Sequence, residues 1–107
     1  MVKKDDGSGY KPVVPGIRRK TIVHGEKTLL AKFKLEKGYT LPAHSHPHEQ
    51  TGFMAAGKLR FTINGEDFTA ESGDCWIIPG NVEHSAEVLE DSFLVEVFSP
   101  VREDYKD

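Results

Sequence analysis

At 107 residues, the chain has room for one hydrophobic core and one domain. Apolar residues make up 37% of it, and the net charge of −3 is spread along the chain, so we expect a globular protein without a basic stripe for nucleic acid. No apolar run approaches the roughly 20 residues of a membrane helix, so we expect no membrane partner. The lone Cys75 has no internal disulfide partner, so we expect a cytoplasmic protein.

The first fifteen residues differ in character from the rest. Residues 1–10 are polar and contain Gly and Ser, and residues 11–16 hold two prolines, which is typical of an extended lead-in. We therefore expect a flexible N-terminal arm over residues 1–15 and one folded domain over residues 16–107.

Short β-rich segments separated by turn residues follow the arm. Segments 17–24 and 27–35 flank Gly25-Glu26, which predicts a hairpin, and the second segment alternates apolar and polar residues as a half-buried strand does. Lys37-Gly38 predicts a turn before a short strand over residues 39–44.

Turn signals continue to the end of the chain. Gly57 separates predicted strands 50–56 and 59–63, and Asn64-Gly65 is a strong hairpin signal because both residues tolerate the positive φ of a type I′ turn. Segments 66–70, 75–78, 83–89 and 93–98 complete the set, and residues 101–107 suit one exposed helical turn or coil. Without a helical period, this pattern favours an all-β sandwich or barrel.

The last predicted strand is apolar on both faces. Phe93, Val95 and Val97 share one face, and Leu94 and Phe98 share the other with Glu96. A second sheet would cover one face and a second copy of the chain the other, so we expect a homodimer. The alternative is a central strand of a monomeric sandwich.

The segment His44-Ser45-His46-Pro47-His48-Glu49-Gln50 concentrates residues that bind metals. On an extended strand, His44, His46 and Gln50 point to the same face, and neutral imidazole is the commonest metal ligand. With His84 from far downstream, they are predicted to bind one divalent metal ion inside the barrel: nickel, zinc, iron, manganese or copper.

Two neighbouring residues affect the chemistry of that site. Gln50 is neutral, so the ligands leave the charge of the metal uncompensated, which favours anionic substrates and Lewis-acid chemistry. Pro47 interrupts the strand before His48, so we interpret His48 as a substrate contact at the mouth or a solvated residue, ahead of a fifth ligand.

The spacing of these residues resembles the paired motifs of the cupin superfamily. The first motif runs from Gly38 through His44, His46 and Gln50 to Gly57, and the second from Gly73 through Pro79 to His84. The resemblance implies a double-stranded β-helix, or jelly-roll, barrel around a mononuclear metal. Its ligands would be His44, His46, Gln50 and His84.

The end of the chain resembles the small cupins of the pectin degradation (KdgF) group more closely. The segment from Glu96 to Tyr105 carries this signature, as does the opening Gly16-Ile17-Arg18-Arg19. The resemblance implies ring opening of 4,5-unsaturated uronates, small anionic sugars, to a linear keto sugar acid. Glu96, where the group usually has Asp, and Arg102 would be catalytic, and Phe98 and Arg102 would contact the substrate.

Simpler roles and other functions stay open at this point. Glu96 and Arg102 could form an ion pair at the barrel mouth, and Phe98 could be an ordinary core residue. Trp76 suits the core better than a sugar-stacking surface. The alternative functions are an iron-dependent cupin dioxygenase and a non-catalytic sugar-binding cupin.

Overall fold

The computed structural model describes residues 1–107, and nearly all of its regular structure is β-strand. A single turn of 3-10 helix near the C-terminus is the exception. The elements are β1 (Lys11–Val14), β2 (Ile17–His24), β3 (Leu29–Leu35), β4 (Thr40–His44), β5 (Glu49–Ile63), β6 (Glu66–Glu71), β7 (Cys75–Ile78), β8 (His84–Ser99) and η1 (Glu103–Tyr105). The structure contains no helix that combines the length and the apolar character needed to cross a membrane.

Two long strands organise the sheet. The strand order is β1-β2-β3-β8-β5-β6, with β4 also paired to β8 and β7 to β5, and every pair is antiparallel. Strands β5 and β8 pair from Glu49 opposite Ser99 to Ile63 opposite His84. Each therefore runs through both halves of the jelly roll, and the predicted all-β barrel is confirmed.

The continuity of β5 and β8 corrects the sequence analysis. Segments 50–56 and 59–63 are one strand, and so are segments 83–89 and 93–98. The register of β5 against β8 shifts around Gly57, whose φ is +112°. A β-bulge of this kind bends a strand at a barrel corner without ending it. A Cβ at Gly57 would overlap Ser92 of β8, so glycine also allows the close approach of the two strands.

The two predicted hairpins are present. Strands β2 and β3 pair from Ile17 opposite Leu35 to His24 opposite Leu29. Strands β5 and β6 are joined through Asn64 and Gly65, which have φ values of 51° and 80°. These positive values are those that a type I′ turn requires.

The hydrophobic core lies between the inward faces of the strands. On β8, Leu94 and Phe98 are buried, whereas Phe93, Val95 and Val97 on the outward face are half-buried. The core residues are Ile17, Leu29, Ala31, Phe33, Leu35, Met54, Leu59, Phe61, Ala70, Ala86, Val88, Leu94, Phe98 and Val101.

Both ends of the chain contact the barrel. Lys11–Val14 form β1 and pair with β2, so the sheet begins within the segment expected to be an arm. Further out, the Asp5 carboxylate accepts hydrogen bonds from Lys20 (2.6 Å) and Lys32 (2.8 Å) on the outer surface. The mobility of the arm stays a prediction.

The C-terminal helical turn is less exposed than expected. Tyr105 is partly buried, and its ring lies between the guanidinium groups of Arg19 (4.3 Å) and Arg102 (3.8 Å). The carbonyl of Tyr105 accepts a hydrogen bond from the Thr21 hydroxyl at 2.6 Å. The last residues are thereby packed over one end of the barrel.

Candidate metal centre

A cavity of about 350 Å³ opens inside the barrel next to the hydrophobic core. Most of its lining is apolar, including Phe33, Leu59 and Phe61. Its polar lining residues come mainly from β4, β5, β8 and the C-terminal segment: His44, Gln50, His84, Ser85, Glu96, Arg102 and Asp104. An apolar cavity with a few polar groups is the usual form of a small-molecule site.

Three of the predicted ligands lie close together. The potential ligand atoms of His44, His46 and His84 all lie within 4.8 Å of one another. His44 at the end of β4 is directly opposite His84 at the start of β8, and their ring centroids are 4.2 Å apart. His46 follows in the loop after β4, with its ring 5.2 Å from that of His84. The long sequence separation between the two motifs is thus closed by the pairing of β4 with β8.

Each histidine is oriented by a backbone carbonyl two residues away. The Nδ1 atoms of His44, His46 and His84 lie 2.9, 3.0 and 2.9 Å from the carbonyl oxygens of residues 42, 48 and 82. Because a carbonyl only accepts, Nδ1 must carry the proton, and the lone pair of each neutral ring is on Nε2. Such contacts commonly fix the tautomer and orientation of metal-binding imidazoles.

Burial keeps two of these rings neutral. It lowers the pKa of His46 to about 4, helped by the nearby positive charge of Arg102. Burial also lowers the pKa of His84. Both side chains therefore present unprotonated nitrogens at neutral pH, which metal binding requires.

The side-chain amide of Gln50 completes a set of unsatisfied buried atoms. Gln50 Oε1, His46 Nε2 and His84 Nε2 are buried and have no hydrogen-bond partner in the protein, and the same holds for Nδ1 of the neighbouring His48. Buried polar atoms without partners are costly, and a cluster of them that are all electron-pair donors suits a cation. The residues present therefore fit a divalent metal with three imidazole ligands and one amide oxygen.

Glu96 lies directly behind Gln50. Its Oε2 atom accepts hydrogen bonds from Gln50 Nε2 at 2.5 Å and from Trp76 Nε1 at 2.9 Å. Burial raises the pKa of Glu96, although these hydrogen bonds and the charge of Arg102 act in the opposite direction. Considering the ligands alone, we expected an uncompensated metal charge. The structure adds a carboxyl group one hydrogen bond away.

The open side of the cavity carries a guanidinium group. Arg102 lies 5.1 Å from the Phe98 ring centroid and forms an ion pair with Asp104, Nη2 to Oδ2, at 2.8 Å. The ion pair considered between Glu96 and Arg102 is not formed, and Arg102 pairs with Asp104 instead. Phe98 is 1% exposed, so it belongs to the core and also lines the cavity.

Comparison with known proteins agrees with this geometry. The family model described as Cupin domain matches residues 31–99. The chain belongs to the cupin family. This cupin is 31% identical over 103 residues to the pectin degradation protein KdgF of Dickeya dadantii (strain 3937), with 94% of each chain covered. The structure of KdgF from Halomonas sp. has 29% identity and a TM-score of 0.90, covering 97% of this chain and 96% of that one.

A more distant solved structure shares the fold. It is an RmlC-like cupin from Shewanella frigidimarina, with a TM-score of 0.86 at 23% identity, covering 98% of this chain and 99% of that one. The KdgF relatives and the histidine cluster together support a metal-type cupin enzyme.

Two residues of this cupin have positions that sequence reasoning did not fully anticipate. His48 lies outside the histidine cluster, although its ring is 5.4 Å from that of His46. Trp76 is half-buried against the core, as expected, but its indole N–H reaches Glu96. No sequence pattern indicates that contact, because it depends on the pairing of β5 with both β7 and β8.

Proposed function

We propose that this cupin opens the ring of 4,5-unsaturated uronates to a linear keto sugar acid. The observation that carries the proposal is a single cavity lined by two residues of the histidine cluster, a buried carboxyl group and a guanidinium group: His44, His84, Glu96 and Arg102. The relative from Dickeya dadantii, which is named a pectin degradation protein, supports a substrate of this class.

Arg102 is the residue we propose for binding the substrate carboxylate. A guanidinium group can donate two parallel hydrogen bonds to a carboxylate. The Arg102 side chain is largely buried, but its partner Asp104 is exposed, so a substrate carboxylate could replace Asp104 without burying a second charge. The Phe98 ring beneath Arg102 offers an apolar surface for one side of the sugar. His48, half-buried beside His46, would contact a hydroxyl group near the opening.

Glu96 is the residue we propose for proton transfer. Both of its hydrogen bonds go to Oε2, so Oε1 is free to face the substrate in the cavity. Ring opening is an isomerisation: the anomeric hydroxyl loses its proton, C1=O forms, and the bond from C1 to the ring oxygen breaks. The electrons released form C5=O, and C4 receives a proton. The Glu96 carboxylate can accept the anomeric proton and then donate it to C4, and the first transfer is favoured because burial raises the pKa of Glu96 above that of a free carboxyl group.

A divalent ion would be held by His44, His46, His84 and the Gln50 amide oxygen. When bound, it would supply Lewis-acid polarisation of a substrate oxygen. The chain's own contribution is to hold these four donors in fixed orientations and to surround them with apolar residues that exclude water.

The proposal includes a homodimer in the cytoplasm. The outward face of β8 carries half-buried Phe93, Val95 and Val97, and exposed Phe53 and Ile77 continue it on β5 and β7. A second copy would cover this face. Light scattering on the purified protein should give twice the monomer mass, and Val95→Glu should reduce it to the monomer. A wild-type protein that stays monomeric at high concentration would contradict the dimer.

The activity is tested by following the ultraviolet absorbance of the C4=C5 double bond. Zinc- or nickel-loaded protein should remove the absorbance of an unsaturated uronate faster than the spontaneous rate. His84→Ala should abolish this effect, whereas His24→Ala, an exposed site away from the cavity, should retain it. Oxygen uptake in place of ring opening would favour a dioxygenase, and binding without any turnover would favour a sugar-binding cupin.

A further inference from the structure

A chain of hydrogen bonds links the only tryptophan to the proposed ligand amide. Trp76 Nε1 donates to Glu96 Oε2 at 2.9 Å, and Gln50 Nε2 donates to the same oxygen at 2.5 Å. The three side chains come from three neighbouring strands, β7, β8 and β5. A single carboxylate oxygen thus receives two donors, which restricts its movement more than either donor alone would.

Gly52 makes this chain possible. It is paired with Trp76 on one side and with Glu96 on the other. A Cβ at position 52 would overlap the indole ring, including Nε1. Without a side chain there, the indole can lie across β5 and reach the carboxylate on the far strand. Glycine is therefore required at position 52, because the Trp76 indole packs directly against its backbone.

The carboxylate determines which way the Gln50 amide faces. An ionised Glu96 only accepts hydrogen bonds, so the amide presents its NH₂ group to it, as the structure places it. Its Oε1 then faces away from Glu96 and is buried without a partner, as are His46 Nε2 and His84 Nε2. Rotating the amide by 180° would place two acceptors in contact at 2.5 Å, which is unfavourable in a buried site.

We infer that Trp76 is a positioning residue that acts through Glu96 to hold the Gln50 amide oxygen toward the three imidazoles. This inference depends on the metal centre of the proposed function. It concerns hydrogen bonds that the metal-free protein already makes, so it can be tested without substrate.

The main test replaces Trp76 by Phe, which retains an aromatic ring and removes the N–H donor. In metal-free wild-type protein, the Gln50 side-chain NH₂ signals should exchange slowly with water in NMR, and in Trp76→Phe they should exchange faster. Zinc affinity, measured by competition with a chelator, should fall 10- to 100-fold, the usual effect of losing a group that orients a ligand. Circular dichroism should show an unchanged fold.

Cys75→Ser is the matched control. Cys75 precedes Trp76 on β7 and is exposed, so this variant changes the same strand but leaves the indole N–H in place. Its amide exchange and zinc affinity should match the wild type. Gly52→Ala is a second route to the same effect, because it displaces the indole, and it decides the matter if Trp76→Phe does not fold.

The outcomes separate this inference from the proposed activity. Slow Gln50 exchange and wild-type zinc affinity in both Trp76→Phe and Gly52→Ala would overturn the inference. A protein that shows the expected exchange and affinity changes but does not open unsaturated uronates would refute the proposed function and leave the role of Trp76 standing.

Discussion

Replacing Gln50 by Glu would place two buried carboxyl groups in contact. In the wild type, Gln50 Nε2 is 2.5 Å from Glu96 Oε2, and the residues are only 5% and 8% exposed. Two negative charges about 4 Å apart at an effective dielectric constant near 20 repel by about 4 kcal/mol. Together with burial, this repulsion should keep one proton shared between the two carboxyl groups at pH 7.

A metal ion entering the site should displace that proton. We therefore expect Gln50→Glu to release about one more proton per zinc ion than the wild type. The wild type should release fewer, because burial already keeps His46 and His84 neutral and the Gln50 amide has no acidic proton to lose. Calorimetric titration at pH 7 in two buffers with different ionisation enthalpies measures this number directly.

The double variant Gln50→Glu with Glu96→Gln is the matched control. It exchanges the amide and the carboxylate, so one donor again faces one acceptor and no shared proton is needed. The additional proton release should disappear. Equal proton release by the wild type and the single variant would refute the placement of Gln50 between Glu96 and the metal.

Three further substitutions test other parts of the structure. His84→Ala should remove most bound zinc while its circular dichroism spectrum stays native, whereas the control His24→Ala should keep its zinc. An unchanged zinc content in His84→Ala would disprove the ligand assignment. Arg102→Ala should weaken binding of a carboxylate sugar roughly 10- to 100-fold, from the loss of a charged hydrogen bond, with a smaller loss in Arg102→Lys and none for a neutral analogue. Gly57→Ala should lower the free energy of unfolding by about 2–3 kcal/mol, because φ is +112° at this residue and β8 leaves no space for a Cβ. Gly65→Ala should lower it by only about 1 kcal/mol, because φ is +80° but the surrounding space is open. Thermal denaturation of both variants measures the difference.

Much of the barrel follows from local patterns in the sequence. Alternating apolar residues predicted β3, and Asn64-Gly65 predicted the turn between β5 and β6. A glycine at a bulge and a glycine at a turn look alike in sequence, so Gly57 predicts the end of a strand where the structure has a bulge. Only the pairing of β5 with β8 shows that the strand continues.

The candidate site was predictable only in part, for a similar reason. Imidazole-rich sequence and family spacing identified His44, His46 and His84, which the structure brings together. The contact between Trp76 and Glu96 joins β7 to β8 across an intervening strand, so it depends on long-range register. A sequence records no such relation between residues twenty positions apart.

The histidine tautomers depend on contacts of very short range. Each Nδ1 is paired with a carbonyl only two residues along its own backbone, at positions 42, 48 and 82. The orientation of each ring is therefore set by its own three-residue segment, while the pairing of β4 with β8 sets only how close the segments lie. A substitution in a distant strand should therefore leave Nε2 as the free nitrogen of each ring.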